Sequence, residues 1–244
     1  MKDILKHFVP NRFRPAVKGL LGIWAPNSYK YKEEIEFWKN CFREERGKLE
    51  NSHYEKPMLA MAGEPDASFL AGKIIADFGC GPRGSLCWAT QAKLRIGIDV
   101  LSKQYSIFDI RFHNMCYVSS SETSIPLPSN YVDVLFTMNA MDHVSYFKRM
   151  CKELLRILVP GGVFVGSFNL GRRPTFSEPH SLSEENVREG LLRHLIVESY
   201  RTAPEAPRPG SVYRYFYEDT PRPISGSRFL WVRARKTTYS STRL

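Results

Sequence analysis

The sequence predicts an α/β fold built on a seven-stranded, mostly parallel sheet, with helices on both faces and a last strand that runs antiparallel. Apolar runs of strand length recur from residue 74 to residue 235, and most of the connectors between them can hold a helix. The connector before the last run shows no helical pattern. The final two strands are therefore expected to pair antiparallel, because a parallel pair needs a long crossover.

The expected strands follow directly from the apolar runs. They lie at residues 74–78, 95–100, 115–118, 132–138, 162–168, about 194–200 and 228–235. The connectors after residues 142 and 182 carry the best helical patterns, and Ser183 is expected to cap the second of these helices. Glu184 and Glu185 would then lie at the positive end of that helix.

The domain organisation follows from length and periodicity. With 244 residues, 43% of them hydrophobic, the chain can bury the core of one α/β domain with additions. We expect an N-terminal helical arm and lid at residues 1–70, the sheet domain at 71–236 and a flexible tail at 237–244. Within the arm, apolar side chains recur at helical spacing, which predicts an amphipathic helix: Ile35, Trp38, Cys41 and Phe42.

The formal net charge is +10, and the excess lies at the two ends of the chain. The basic amphipathic segment at residues 1–26 could lie on an anionic membrane surface or cover the domain's own apolar surface. Pro10 and Pro15 favour the second interpretation, because they interrupt a long helix. A nucleic-acid partner is not expected, since the middle of the chain is near neutral and no zinc-finger or helix-turn-helix pattern is visible.

Cellular location and cysteine usage give further expectations. The sequence has no run of about 18 uncharged apolar residues and no apolar signal-peptide segment, so we expect a cytoplasmic protein. The five cysteines form no C-x-x-C pair and have no clustered histidines, so neither disulfides nor a metal site is expected. The oligomeric state stays open.

A glycine-rich stretch, IIADFGCGPRGS at residues 74–85, fits two kinds of cofactor loop. The spacing Gly79-x-Gly81-x-x-Gly84 fits a dinucleotide fingerprint, whereas Asp77-x-Gly79-x-Gly81 fits a loop that holds S-adenosylmethionine. An acid at position 77 would repel a pyrophosphate but would attract a cationic amino-acid end. Asp99, about twenty residues further on, can accept ribose hydroxyls from either cofactor. The neighbours of the glycines therefore favour S-adenosylmethionine over NAD.

Four segments occur in an order that resembles the class I S-adenosylmethionine-dependent methyltransferases, in particular their broad small-molecule methyltransferase domain. They are IIADFGCGPRGS, IGIDVLSKQY, SIPLPSNYVDVLFTMNAMDHV and ELLRILVPGGVFVGSFN, and the resemblance covers about residues 70–170. It implies a Rossmann-like fold and S-adenosylmethionine as the cofactor, with S-adenosylhomocysteine as its product. It also implies a small-molecule methyl acceptor.

The resemblance also implies roles for individual cofactor residues. Asp77, Gly79 and Gly81 correspond to the methionine-end loop, Asp99 to the ribose ligand, and Leu101 to a residue that packs on the adenine. Many relatives place an aspartate for the adenine amino group where this chain has Ser121, and Glu122 is next to it. Either of the two could accept that bond. The stretch after the fourth strand faces the methyl group in this family, which assigns Asn139 to the cofactor side.

The acceptor side is expected at the carboxyl ends of the fourth and fifth strands, where open sheets bind ligands. His143 and His180 are the candidate bases, although His143 could instead pack on the cofactor and His180 could be an ordinary loop residue. Arg172 and Arg173 could bind an acidic acceptor, or they could be solvated or paired with a nearby acid. Tyr29 could close over the sulfonium or simply pack.

For the acceptor atom, oxygen is expected more often than nitrogen or carbon across this class of enzymes. Two alternatives stay open. One is a methyltransferase for a lipid-linked glycan or a nucleic acid, which the basic chain ends suggest. The other is a protein that binds S-adenosylmethionine without turnover.

Overall fold

The computed structural model describes residues 26–175, 178–204 and 228–238. It contains the strands β1 (Ile74–Phe78), β2 (Leu94–Asp99), β3 (Cys116–Ser119), β4 (Val132–Met138), β5 (Leu158–Leu170), β6 (Leu195–Pro204) and β7 (Arg228–Lys236). Its α-helices are α1 (Pro26–Glu44), α2 (Glu55–Ala62), α3 (Phe147–Ile157) and α4 (Glu184–Gly190). The basic segment before residue 26, most of the Pro- and Arg-rich connector and the end of the predicted tail lie outside the described residues.

The seven strands form one sheet in the order β3-β2-β1-β4-β5-β7-β6. Strands β1 to β5 pair parallel, and β7 pairs antiparallel with both β5 and β6. The predicted sheet is confirmed, including its antiparallel last strand. Strand order reverses between β1 and β4, so this is the point at which α/β sheets of this kind bind ligands beyond their carboxyl ends.

Helices cover both faces of the sheet, as predicted. On one face, Leu154 and Ile157 of α3 and Val187 of α4 belong to the same buried core as Ile96 and Leu135 of the sheet. On the other face, the buried core contains residues of α2 and neighbouring strand positions: Met58, Met61, Ile75, Val134 and Phe136. Successive strand residues point to opposite faces, which is why Val134 and Leu135 belong to different cores. The helix α2 lies within the segment predicted as arm and lid, and it packs on the sheet.

The start of α4 confirms the predicted cap. The hydroxyl of Ser183 accepts a hydrogen bond from the backbone N–H of Asn186 at 3.1 Å, and the Asn186 side chain accepts one from the Ser183 N–H at 3.1 Å. This reciprocal pair satisfies two N–H groups that a helix start would otherwise leave without a partner.

The connector after β1 is formed by turns rather than by a helix. Residues 81–88 form turns, because Pro82 has no N–H to donate and Gly84 has a φ of +79°. Between β2 and β3 the chain forms two 3₁₀-helices, Ser102–Phe108 and Ile110–His113.

The predicted amphipathic helix is confirmed as α1. Its Ile35, Trp38 and Phe42 pack against a small core that contains Tyr105 and Phe108, which holds α1 across the carboxyl edge of the sheet. None of the helices in the described ranges combines the length and the apolar character needed to cross a membrane.

Candidate functional site

A cavity of about 550 Å³ lies between α1 and the carboxyl edge of the sheet. The sheet side contributes the glycine loop after β1, Asp99 at the end of β2 and the loop after β4. The α1 side contributes Lys30, Glu33, Glu34, Phe37 and Trp38. A volume of this size is typical of a small-molecule site.

The loop needs glycine at two positions because other parts of the chain approach its backbone closely. A Cβ atom on Gly79 would lie 2.1 Å from the Cβ of Ala140, and Gly79 has a φ of +73°. A Cβ atom on Gly81, whose φ is +59°, would lie 3.1 Å from the Trp38 ring. The loop after β4 and the helix α1 therefore both touch the glycine loop, and larger residues would separate them.

Asp77 lies directly beneath this loop at the end of β1 and is 2% exposed. One carboxylate oxygen accepts a hydrogen bond from the Ser85 hydroxyl, and the other has no partner among the described residues. Burial raises the pKa of Asp77 to about 7. An acid in this setting is stabilised by a cation nearby.

Asp99 lines the cavity and fastens two loops together. Its Oδ2 accepts from the N–H of Gly81 at 3.1 Å, and its Oδ1 accepts from the N–H of Leu101 at 2.9 Å. Burial raises the pKa of Asp99. Each carboxylate oxygen has a second lone pair, so the group fits a pair of sugar hydroxyls. Leu101 itself is buried with Tyr105 and Phe108, and its neighbour Val100 lines the cavity.

Ser121 and Glu122 both line the cavity, as expected of the adenine side. The carboxylate of Glu122 accepts hydrogen bonds from the Tyr31 hydroxyl and, at 2.9 Å, from the Ser145 N–H. Burial raises the pKa of Glu122, but these bonds outweigh it and the pKa is lowered overall. Glu122 thus also joins α1 to the loop after β4. The assignment of the adenine bond to either residue stays a prediction.

His143 is the candidate base that lines the cavity. It lines the cavity, with its Nε2 atom 3.7 Å from Oε1 of Glu178 and 3.9 Å from Oδ1 of Asp142. Asn139 also lines the cavity; its N–H donates to the Ser167 carbonyl at 3.0 Å.

The other predicted acceptor residues lie outside this cavity. His180 lines a neighbouring depression with Tyr146 and Arg149, and its Nε2 lies 3.3 Å from the Ser145 carbonyl oxygen. Arg172 lies over the Phe229 ring at 5.7 Å, and Arg173 is exposed. Tyr29 does not line the cavity either, although the next residue does. The roles of these four residues stay predictions.

Sequence reasoning missed two groups of residues at the site. The first is the cavity face of α1, where burial and the nearby Asp99 carboxylate raise the pKa of Glu34. Helical periodicity identified the neighbouring apolar side of this helix, which shares Trp38 with the cavity face, and that was the available signal. The second group is Asp142 and Glu178, which gather around His143 from two different loops. Asp142 is adjacent to His143 in the sequence, but Glu178 follows β5, and this separation gave no signal for the contact.

Comparison with known proteins agrees with this geometry. Residues 76–166, which run from β1 into β5, match the family model of the methyltransferase domain. A Mycolicibacterium smegmatis protein named "Probable S-adenosylmethionine-dependent methyltransferase" is 31% identical over 115 residues. That match covers 44% of this chain and 41% of the relative, so the chain spans about two fifths of the relative's length.

Solved structures show the same fold. An S-adenosylmethionine-dependent methyltransferase from Mesorhizobium loti superposes with a TM-score of 0.52 at 20% identity, over 68% of this chain and 92% of that one. The [4+2]-cyclase SpnF superposes with a TM-score of 0.57 at 18% identity, over 76% and 82%. A fold shared with a cyclase does not by itself fix a reaction. Residues 76–166 thus resemble a methyltransferase domain, and the glycine loop and the sheet order agree with the class I S-adenosylmethionine-dependent fold.

Proposed function

We propose that this chain transfers a methyl group from S-adenosylmethionine to an oxygen atom of a small-molecule acceptor. The observation that carries the proposal is the continuity of the cavity. One space of about 550 Å³ reaches from Gly79, Gly81 and Asp99 to His143 and Glu178. A cofactor at the first end and an acceptor at the second would meet inside it, which is the geometry that direct group transfer requires.

The electrostatics of the cavity support a positively charged cofactor. Burial raises the pKa values of Asp77, Asp99 and Glu34, so each of these carboxylates lacks sufficient compensation for its charge. S-adenosylmethionine supplies an electrophilic methyl group on a sulfonium and also carries an ammonium group. The buried acids would be stabilised by this charge and would be less well stabilised by a pyrophosphate.

The chain's own residues would perform the remaining tasks. Asp99 would hold the sugar hydroxyls, and the α1 residues Phe37 and Trp38 would exclude water from the reacting groups. The acceptor hydroxyl would lie beside His143, and its proton would pass to the pair of side chains formed by His143 and Glu178 as the methyl group is transferred. We assign this role to His143 rather than to His180, because His143 lines the cavity.

The acceptor is proposed to be a small molecule because of the size and charge of the site. The lining carries several carboxylates, which would repel a nucleic-acid backbone. An acidic group on the acceptor would have to extend towards the loop after β5, where Arg172 and Arg173 lie at the same edge of the sheet. We include this preference in the proposal as a property to be tested separately.

The test uses S-adenosylmethionine labelled on its methyl group and a panel of matched acceptors that bear hydroxyl, amine or carboxyl groups. We expect transfer to hydroxyl acceptors, faster when an acidic group is also present. His143→Ala should lower kcat/KM at least about tenfold, or ~1.4 kcal/mol. The exposed α3 variant Lys152→Ala is the matched control and should be unchanged. Transfer to amines or to nucleic acid alone, or no effect of His143→Ala, would contradict the proposal.

A further inference from the structure

Beside the cavity, three side chains bring one potential metal-ligand atom each into a single cluster, and two of them, His143 and Glu178, line the cavity. The ligand atoms of Asp142, His143 and Glu178 all lie within 4.8 Å of one another. The Nε2 atom of His143 is 3.9 Å from Asp142 Oδ1 and 3.7 Å from Glu178 Oε1. Both distances are too long for a direct hydrogen bond. They are compatible with ligands of one shared ion, since atoms about 2.1 Å from an ion lie roughly 3 to 4 Å apart.

A second, independent observation concerns Asp142. Its side chain is 4% exposed, and its Oδ1 atom, which faces the cluster, has no hydrogen-bond partner within the described ranges. The other oxygen accepts a hydrogen bond at 3.2 Å from the Nδ2 of Asn169 in β5, which orients the carboxylate. A buried carboxylate oxygen without a partner is costly, and a bound cation would satisfy it. Burial accordingly raises the pKa of Asp142.

The charges around the cavity also call for a further cation. Its described lining includes five carboxylates, Glu33, Glu34, Asp99, Glu122 and Glu178. Lys30 is the only lysine or arginine in that described lining, and its ammonium group already contacts the His143 carbonyl and, at 3.8 Å, Glu122. S-adenosylmethionine would add only one net positive charge. A divalent cation at the cluster would bring the site closer to balance.

We propose that Asp142, His143 and Glu178 form a binding site for a divalent first-row transition-metal ion, and that this ion holds an oxygen atom of the methyl acceptor. One imidazole nitrogen and two carboxylate oxygens suit Mn²⁺, Fe²⁺ or Zn²⁺ and leave coordination positions open. A hydroxyl bound to such an ion loses its proton more readily. The acceptor class is then a molecule with an anionic or chelating oxygen group. Only this acceptor part rests on the proposed function.

The test first removes metals from the full chain and then titrates it with Mn²⁺, without cofactor or acceptor. Electron paramagnetic resonance measures the binding. We expect one ion per chain and competition by Zn²⁺. Asp142→Asn and Glu178→Gln should each weaken binding at least about tenfold. Glu185→Gln changes an exposed carboxylate at the start of α4 and should bind as wild type does. Thermal unfolding verifies that each variant is folded.

Two outcomes would overturn the site. One is the absence of saturable Mn²⁺ or Zn²⁺ binding. This includes the case in which the site binds an organic cation, such as an alkylammonium ion, but no metal ion. The other is wild-type metal affinity in both folded variants. The titration contains neither cofactor nor acceptor, so an absence of metal binding does not contradict methyl transfer. Methyl transfer is then tested separately, with the acceptor panel in the presence of a chelator. Conversely, metal binding without methyl transfer would uphold the site and contradict the proposed function.

Discussion

Asp77 shows most clearly how a single residue can be unfavourable for folding and useful for binding. Its carboxylate is buried beneath the glycine loop, with the Ser85 hydroxyl as the hydrogen-bond donor to one oxygen. Burial raises its pKa from 3.8 to about 7, so the folded protein holds this proton more tightly than the unfolded chain does. The resulting destabilisation is fully present above about pH 7 and fades as the pH falls towards the unfolded value.

Asp77→Asn should therefore stabilise the protein without its cofactor while weakening the binding of S-adenosylmethionine. Asparagine keeps an oxygen for the Ser85 hydroxyl and removes the buried charge. A shift of about three pKa units sets an upper bound of ~4 kcal/mol on the gain in the free energy of unfolding. The gain should be larger near pH 8 than near pH 5.

Thermal unfolding of the wild type and Asp77→Asn at both pH values checks this prediction. A Tm gain that does not depend on pH, or a lower Tm for the variant at the higher pH, would show that the charge of Asp77 does not govern its effect. The substitution would then act only through packing.

At this scale the sequence predicted the contacts of the glycine loop better than those around His143. Gly79, Gly81 and Asp99 belong to a local pattern, and the contacts that require them lie where the pattern implies. The cluster around His143 depends instead on two loops that meet only after the strands have paired. Arg172 and His180 were predicted because they follow the fifth strand, yet neither lines the cavity: Arg172 lies over the Phe229 ring and His180 lines a neighbouring depression.

At the scale of elements, α1 connects folding with function. It packs through Ile35 and Phe42 on the small core beside β2, and it presents Trp38 to the glycine loop. The ion pair between Arg83 and Glu45, with an N–O distance of 2.7 Å, fastens the end of this helix to the same loop. The position of α1 therefore depends on the loop that it covers.

Trp38→Ala should weaken S-adenosylmethionine binding about tenfold, or ~1.4 kcal/mol, because it opens the cavity to water beside Gly81. Lys39→Ala is the matched control on the same helix: its side chain is 43% exposed and pairs with Glu36. Calorimetric titration of both variants compares them directly. Equal affinities for the two variants would mean that α1 does not help to close the cofactor end.

The periodicity of the sequence predicted α1, α3 and α4 because each has one apolar side facing a core. Periodicity did not indicate which element would cover the site. The turns at residues 81–88 also escaped prediction: a short stretch containing Pro82 and Gly84 is decided by local backbone geometry rather than by an apolar face.

At the scale of the whole molecule, the sheet explains why distant residues form one site. The parallel strands β1, β2, β4 and β5 all end at one edge, and the order reverses between β1 and β4. The loops that follow residues 78, 99, 138 and 170 therefore open at the same place. This arrangement followed from strand spacing and connector length, which is why the topology was predictable although several side-chain contacts were not.

The most direct test of this account is calorimetric titration of the metal-free protein with S-adenosylmethionine, S-adenosylhomocysteine and NAD. We predict saturable binding of the first two at one site per chain and no binding of NAD, since the buried acids at this edge oppose a pyrophosphate. Asp99→Ala should weaken S-adenosylmethionine binding by about 1 to 3 kcal/mol, because the sugar hydroxyls lose their acceptor. Tight NAD binding without S-adenosylmethionine binding, or an unchanged affinity in Asp99→Ala, would contradict the account.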